Sequence, residues 1–410
     1  MAKKVFGFLL WLICGAMLVY GEDDFGSFDA LDELPVLEKS KSSSYKFHGS
    51  VGSSYGAIKN QNGDASLEIH AKADINLQYS LGSTSKLVFS ASNNGEIDKD
   101  WAEQYKISQF YWQEQLSAFD ITLGRQIISW GKSDAIKLND IINPLDYSNG
   151  IATTDIKDLK LAVGTLKLDA YLNAWQVSLL GIFEPRFIKL PPNDSLPHFT
   201  KPPTKMQYAL SGDGRFRAFD VSLYLANIYQ DGYFLDMSST PARSLGANQI
   251  LLLGSGLSAP LGAFLFKLEL AYKSQVKYTN TISKNNLSTL LGFDYSLNNG
   301  SLSIEMSNKN IQDYETAMNL LPFGLAKDTI SLALRANKQF FHNALNINYL
   351  TLLQHKNEKT TGFWKLSSSY QFGDDLSIEG GVVDSIFDVK ESALGMNVGS
   401  QAYLSLGLKY

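Results

Sequence analysis

Between Gly124 and Gly150 the chain reads GRQIISWGKSDAIKLNDIINPLDYSNG, which gathers Arg125, Trp130, Lys132, Asp134, Lys137, Asp140 and Asp146 into one short stretch. These residue types do not make a nucleophile or a metal cage. Mixed-sign charges at this density do electrostatic work: they set the field at a constriction through which a solute passes. Leu138, Ile141, Ile142 and Leu145 recur at helical spacing, which predicts a short helix over 134–142. Pro144 stops it, because the residue before a proline is pushed out of the α region. A segment with its own apolar stripe has to pack on something. The sequence therefore predicts a loop, near 129–155, folded inward against a wall; the alternative is a cap that stiffens an outer rim.

The elements that would carry such a loop are strands. Leu67, Ile69, Ala71, Ala73, Ile75, Leu77 and Tyr79 alternate with Glu68, His70, Lys72, Asp74, Asn76 and Gln78. That is one apolar and one polar face at a period of two. The pattern recurs to the C-terminus: Phe264, Phe266, Leu268 and Leu270 oppose Lys267 and Glu269, and Ile330, Leu332 and Leu334 oppose Ser331 and Arg335. Strands are expected at 45–56, 64–80, 84–93, 105–115, 117–128, 156–168, 173–184, 206–213, 216–229, 248–257, 263–276, 287–297, 301–309, 328–339, 344–355, 362–372, 375–385 and 398–410. Connections alternate between short turns, such as 81–84, 258–262, 297–300 and 372–375, and long loops, such as 94–104, 129–155, 185–205, 230–247 and 310–327. This is the rhythm of an all-β, antiparallel transmembrane barrel of about 18 strands, with 16 as the alternative count, short periplasmic turns and long outer loops. Glu68, His70, Lys72, Asp74, Lys267, Glu269 and Arg335 are then expected to line a wet lumen.

The N-terminus fits an exported chain. Lys3 and Lys4 precede an apolar run, residues 5–20, and Gly21 precedes Glu22, as in a secretory signal peptide. The run is shorter than the ~20 residues of a spanning helix, which is the alternative. Residues 22–44 are acidic and lack alternation, so they are expected to form a periplasmic extension, and 45–410 the barrel. Cys14 is the only cysteine and lies inside the leader, so no disulfide or thiolate metal site is expected in the mature chain. Charged residues make up 19%, below the ~25% of soluble domains. A formal charge of −5 leaves no basic footprint for nucleic acid. There are five histidines, and no HExxH, paired-cysteine or phosphate-cradling glycine motif accompanies them. An enzyme and a cofactor are therefore not expected.

Two segments carry resemblances. The motif G-R-Q-x-x-x-W-G-K-S-D followed by D-x-I-N-P-L-D resembles the hallmark of a Gram-negative outer-membrane barrel family of unassigned function, whose members are often associated with RND-type inner-membrane exporters. The architecture is also similar to the alginate-export porin. The last strand, in which Ala402, Leu404, Leu406, Leu408 and Tyr410 alternate with Tyr403 and Gly407, resembles the signal read by the bacterial barrel-assembly machinery. These resemblances imply outer-membrane lipid, the assembly machinery and an inner-membrane exporter as partners. Passive passage of solute, a partner-dependent outlet and a plugged structural barrel are the functions in play. The prolines of 185–203 favour stiff, extended backbone.

Overall fold

A computed structural model describes residues 45–59, 65–96, 105–148, 159–190, 198–199, 205–238, 244–321, 324–386 and 400–409. The leader, the acidic stretch 22–44, most of the proline-rich loop and Tyr410 lie outside the described residues. Eighteen strands form one sheet. In chain order they are β1 (Tyr45–Lys59), β2 (Ala65–Ser80), β3 (Ser85–Glu96), β4 (Tyr105–Gln115), β5 (Phe119–Gln126), β6 (Val163–Leu172), β7 (Trp175–Glu184), β8 (Gln207–Arg215), β9 (Asp220–Tyr229), β10 (Gln249–Leu261), β11 (Phe264–Lys277), β12 (Ser283–Leu297), β13 (Gly300–Ile311), β14 (Asp328–Phe340), β15 (Leu345–Lys356), β16 (Lys359–Phe372), β17 (Leu376–Ile386) and β18 (Ser400–Lys409).

Each strand pairs antiparallel with the next, and β18 pairs back onto β1, with Leu404 opposite Tyr55 and Leu408 opposite Val51. The sheet closes, so no edge is left with unpaired backbone groups. Three short strands, His198–Phe199, Phe234–Asp236 and Ser244–Gly246, form a small separate sheet among the long connections.

The two faces of the wall are inverted relative to a soluble protein. Leu223, Leu225, Leu253, Leu291, Phe293, Leu302, Ile304, Leu404 and Leu406 are exposed, while Lys267, Glu269, Ser288, Ser303 and Glu305 on alternate positions are buried. Aromatic residues gather where the short turns are: Phe264 lies 4.7 Å from Tyr295, and Tyr370 4.6 Å from Phe372. An apolar band edged by an aromatic girdle is the exterior of a membrane barrel.

Strand boundaries depart from expectation mainly near the motif. The strand expected at 156–168 begins only at Val163 and runs to Leu172. The expected strand 216–229 begins at Asp220, because Phe216 to Phe219 close a turn: the Phe216 N–H donates to the Phe219 carbonyl at 3.0 Å. The helix expected over 134–142 is absent; the segment is a run of bends and turns. Its first N–H groups donate to side chains of the barrel wall.

Candidate functional site

The connection between β5 and β6 turns into the barrel and lies against its inner wall. Ile128, Trp130, Leu138, Ile141 and Ile142 from the loop share one buried cluster with Val163, Leu180, Ile182, Ala226, Ile228, Ile250, Leu252, Ala271 and Leu290 from the wall. The indole of Trp130 stacks on Tyr224, with ring centroids 4.7 Å apart. Of the apolar stripe, Leu138, Ile141 and Ile142 lie in this cluster and Leu145 does not, and no helix carries them.

The reason is two wall carboxylates. The backbone N–H groups of Lys132 and Ser133 donate to Glu269 Oε1 at 2.5 and 2.7 Å, and the Asn139 side-chain amide donates to Oε2 at 2.8 Å. Asp134 N–H donates to Glu305 Oε1 at 2.6 Å, and those of Ala135 and Ile136 to Oε2 at 3.0 Å each. Five consecutive N–H groups wrap two ionised side chains, and each such charge-assisted bond is worth ~1.5–3 kcal/mol, more than an ordinary backbone bond. With these N–H groups committed to wall side chains, the segment runs as a series of bends around the two carboxylates. Close approach is built in. Gly131 takes φ +86°, and a side chain there would meet the Glu269 carboxylate. A Cβ at Gly254 would fall 2.0 Å from Asn139 Oδ1.

Behind the anchor, Asn143 closes the loop's neck: its amide donates to Leu161 O at 2.7 Å and its Oδ1 accepts from Ile128 N–H at 2.7 Å. Asp140 pairs with Lys160 at 2.7 Å and with Lys137 at 3.4 Å. Burial pushes the Lys137 ammonium below its ordinary pKa, with Asp140 acting in the opposite direction. Asp146 pairs with Lys189 at 3.6 Å.

On the loop's open side, Asp134 is the exposed acid. Lys267 Nζ lies 2.6 Å from Asp134 Oδ2 and 2.6 Å from Asp294 Oδ2. Arg335 reaches the same Asp134 oxygen only at 4.0 Å, with 46% of its side chain exposed. The structure therefore brings Lys132, Asp134, Lys267, Glu269 and Arg335 together, and separates the rest. Trp130 and Asp140 are interior to the loop rather than lining its open side. Glu269 and Lys267, expected to line water, are 0% and 4% exposed. Arg125 departs further: it sits opposite Phe110 in the register, on the strand face of exposed Leu123, and pairs with Glu184. Alternation along β5 puts it there, away from the lumenal set.

Asp74 accepts from Ser50 Oγ at 3.2 Å. Glu68, His70 and Lys72 stand opposite Gly56, Ser54 and Gly52 in the β1–β2 register; their side chains lie outside the described set. Glu305, the second anchor, was not picked out from the sequence. The set of alternating polar residues on β13 contains it, but nothing local distinguishes it from Ser303 or Ser307.

A family model matches residues 40–410. The chain belongs to the DUF1302 family. That family is described as one of unknown function, so membership brings no assigned site. No curated protein matches the sequence. Solved structures similar to this DUF1302 chain include a BenF-like porin from Pseudomonas fluorescens, which aligns at 8% identity and TM-score 0.53 over 89% of this chain and 98% of its own. OpdO of Pseudomonas aeruginosa aligns at 13% identity and TM-score 0.56 over 89% of this chain and 96% of its own. OccAB3 of Acinetobacter baumannii aligns at 11% and 0.55 over 89% and 99%. OccK2 of P. aeruginosa, solved in complex with glucuronate, aligns at 14% and 0.55 over 89% and 97%. At these identities the likeness shows the barrel fold of the DUF1302 chain and no more.

Proposed function

We propose that the protein is an outer-membrane channel of a Gram-negative bacterium, through which solute passes down its gradient. The observation that carries this reading is the loop: a closed 18-stranded barrel is wide enough to keep a channel, and the β5–β6 loop is seated inside it by Glu269 and Glu305 rather than over its rim. What is left of the lumen is bounded on the loop's side by Lys132 and Asp134, with Arg335 beside them, 4.0 Å from Asp134. Selection then comes from radius and field, with neither cofactor nor covalent step. Porin folds in the solved structures support the reading. Localisation follows from it, with the leader removed near Gly21.

Conductance of the purified chain in a planar bilayer, beside a variant lacking residues 132–146, tests the proposal. Steps in the intact chain that grow in the variant support a channel narrowed by the loop. Silence from both, with folding confirmed by circular dichroism, overturns it. The density of bonds pinning the loop favours one other reading, an outlet shut at rest and opened by an inner-membrane RND-type exporter. A silent intact chain with a conducting variant would select it.

A further inference from the structure

The wall turns apolar side chains inward under the loop and again on β15 and β16. The first lies under the loop and is filled by it. The second lies on β15 and β16, where Leu352 stands opposite Phe363 and Leu350 opposite Lys365. Register fixes the direction these residues face. Leu350 pairs with Arg335 and Leu352 with Ala333, and Arg335 reaches toward Asp134 of the inward loop. Residues paired directly across neighbouring strands share a face with Cβ atoms ~4.5–5.5 Å apart. Leu350, Leu352 and Phe363 therefore face the lumen, while the alternate residues Tyr349 and Leu366 are exposed on the outside. None of the three belongs to the cluster that the loop buries.

Polar residues frame this patch in the register. Gln354 and Thr361 stand on one side of it, Asn348 and Ser367 on the other. In the register, Leu350 stands between two cations, one row from Leu352 and Phe363. Arg335 lies on one flank, half exposed, and Asp134 within reach is held much closer by Lys267. Lys365 lies on the other flank, its ammonium 5.4 Å from the Tyr403 ring. An apolar island between two cations is complementary to a molecule with a small apolar body and a negative head.

We infer that this arc is a subsite for amphipathic anions, with the head on Arg335 and a short alkyl or aryl body on Leu350, Leu352 and Phe363. The inference rests on the channel reading for its role, since the patch lies beside the passage left open by the loop. Removal of apolar surface from water favours the longer chain, and the guanidinium favours a carboxylate.

The test is block of single-channel current by hexanoate, acetate and hexylammonium. Hexanoate is expected to halve the current at a concentration at least tenfold below that of acetate, with hexylammonium weaker than either. Arg335→Gln should raise the hexanoate value about tenfold. Leu352→Ser should bring hexanoate close to acetate and leave acetate unchanged. Equal block by hexanoate and acetate, stronger block by hexylammonium, or an Arg335→Gln channel with the original hexanoate value would each overturn the subsite and leave the channel standing. If the folded chain passes no current, the channel reading fails separately. The same three probes are then titrated calorimetrically against the protein in nanodiscs, with empty nanodiscs subtracted: the same ranking supports the subsite, and absence of hexanoate-specific heat overturns it.

Discussion

The inner wall has two arcs that differ in kind. Beneath the loop, Leu180, Ile182, Ala226, Ile228, Ile250, Leu252, Ala271 and Leu290 are all buried, so these strands are apolar on both faces. On β14 to β16 the lumenal set includes Arg335, Asn348, Gln354 and Ser367, with one small apolar island. The same pleated strand thus serves as the core of a packed layer in one arc and as the bank of a passage in the other. What decides between them is whether a loop covers the arc, and the loop is held by Glu269, Glu305 and Lys267 beside a buried apolar cluster. The covered arc behaves like the interior of a soluble domain, where a polar group must find a partner.

The most severe way to break this contrast is to remove the anchors. Glu269→Leu with Glu305→Leu leaves five backbone N–H groups without acceptors and the Asn139 amide with the Ser255 carbonyl alone, each lost acceptor costing ~1–3 kcal/mol if the donor stays buried. The loop should lift, and single-channel conductance should rise to that of the 132–146 deletion. Unchanged conductance would mean that apolar packing alone seats the loop. Trp130→Ala comes next: loss of a buried indole costs ~3–5 kcal/mol, which should appear as flickering current and protease cleavage within 131–142 while the barrel stays folded.

Asp134→Asn should act on charge and not on seating, because the N–H of residue 134 still reaches Glu305. Lys267 keeps Asp294, Arg335 loses its acidic neighbour, and the reversal potential in a KCl gradient should move toward anions by a few-fold in permeability ratio. A shift toward cations would contradict the placement of Arg335 beside the passage.

Lys137→Met should change little, since Asp140 keeps its nearer partner Lys160 at 2.7 Å and loses only the ammonium at 3.4 Å. The sign is checkable by pH. Burial lowers the Lys137 pKa, so the seated loop holds that proton less tightly than the unfolded loop does. Seating should then strengthen as pH rises from that lowered value toward 10.5, and protease protection in the Met variant should lose this slope. Arg125→Leu gives the smallest effect: its partner Glu184 shares the outward face, so conductance and selectivity should match the parent. A changed reversal potential would return Arg125 to the lumen.

Much of the wall was legible because alternation and turn chemistry are local. Tyr45 and Gln115 bound strands where the pattern says they do, and Leu404 and Leu406 alternate on the last strand. The missing helix was not legible, because the acceptors that unwind it lie more than 130 residues downstream on β11 and β13. Nor does spacing alone tell a loop's apolar stripe from a helix's. One signal for the covered arc was present. Ile250 to Leu253 run apolar without alternation, and so do Leu179 and Leu180. A strand that is apolar on both faces inside a barrel must have something resting on its inner side. Arg125 follows Phe119, Ile121 and Leu123 at a period of two and so shares their face; grouping it by charge with the residues that follow hides this.

The spacing between the loop and its anchors also imposes an order on events. The segment from Lys132 to Ile136 is made long before Glu269 and Glu305, and its seat exists only when β11 and β13 stand in the sheet. During assembly the loop therefore cannot latch before those two strands are in place, and until then the growing wall has free space in which to curl.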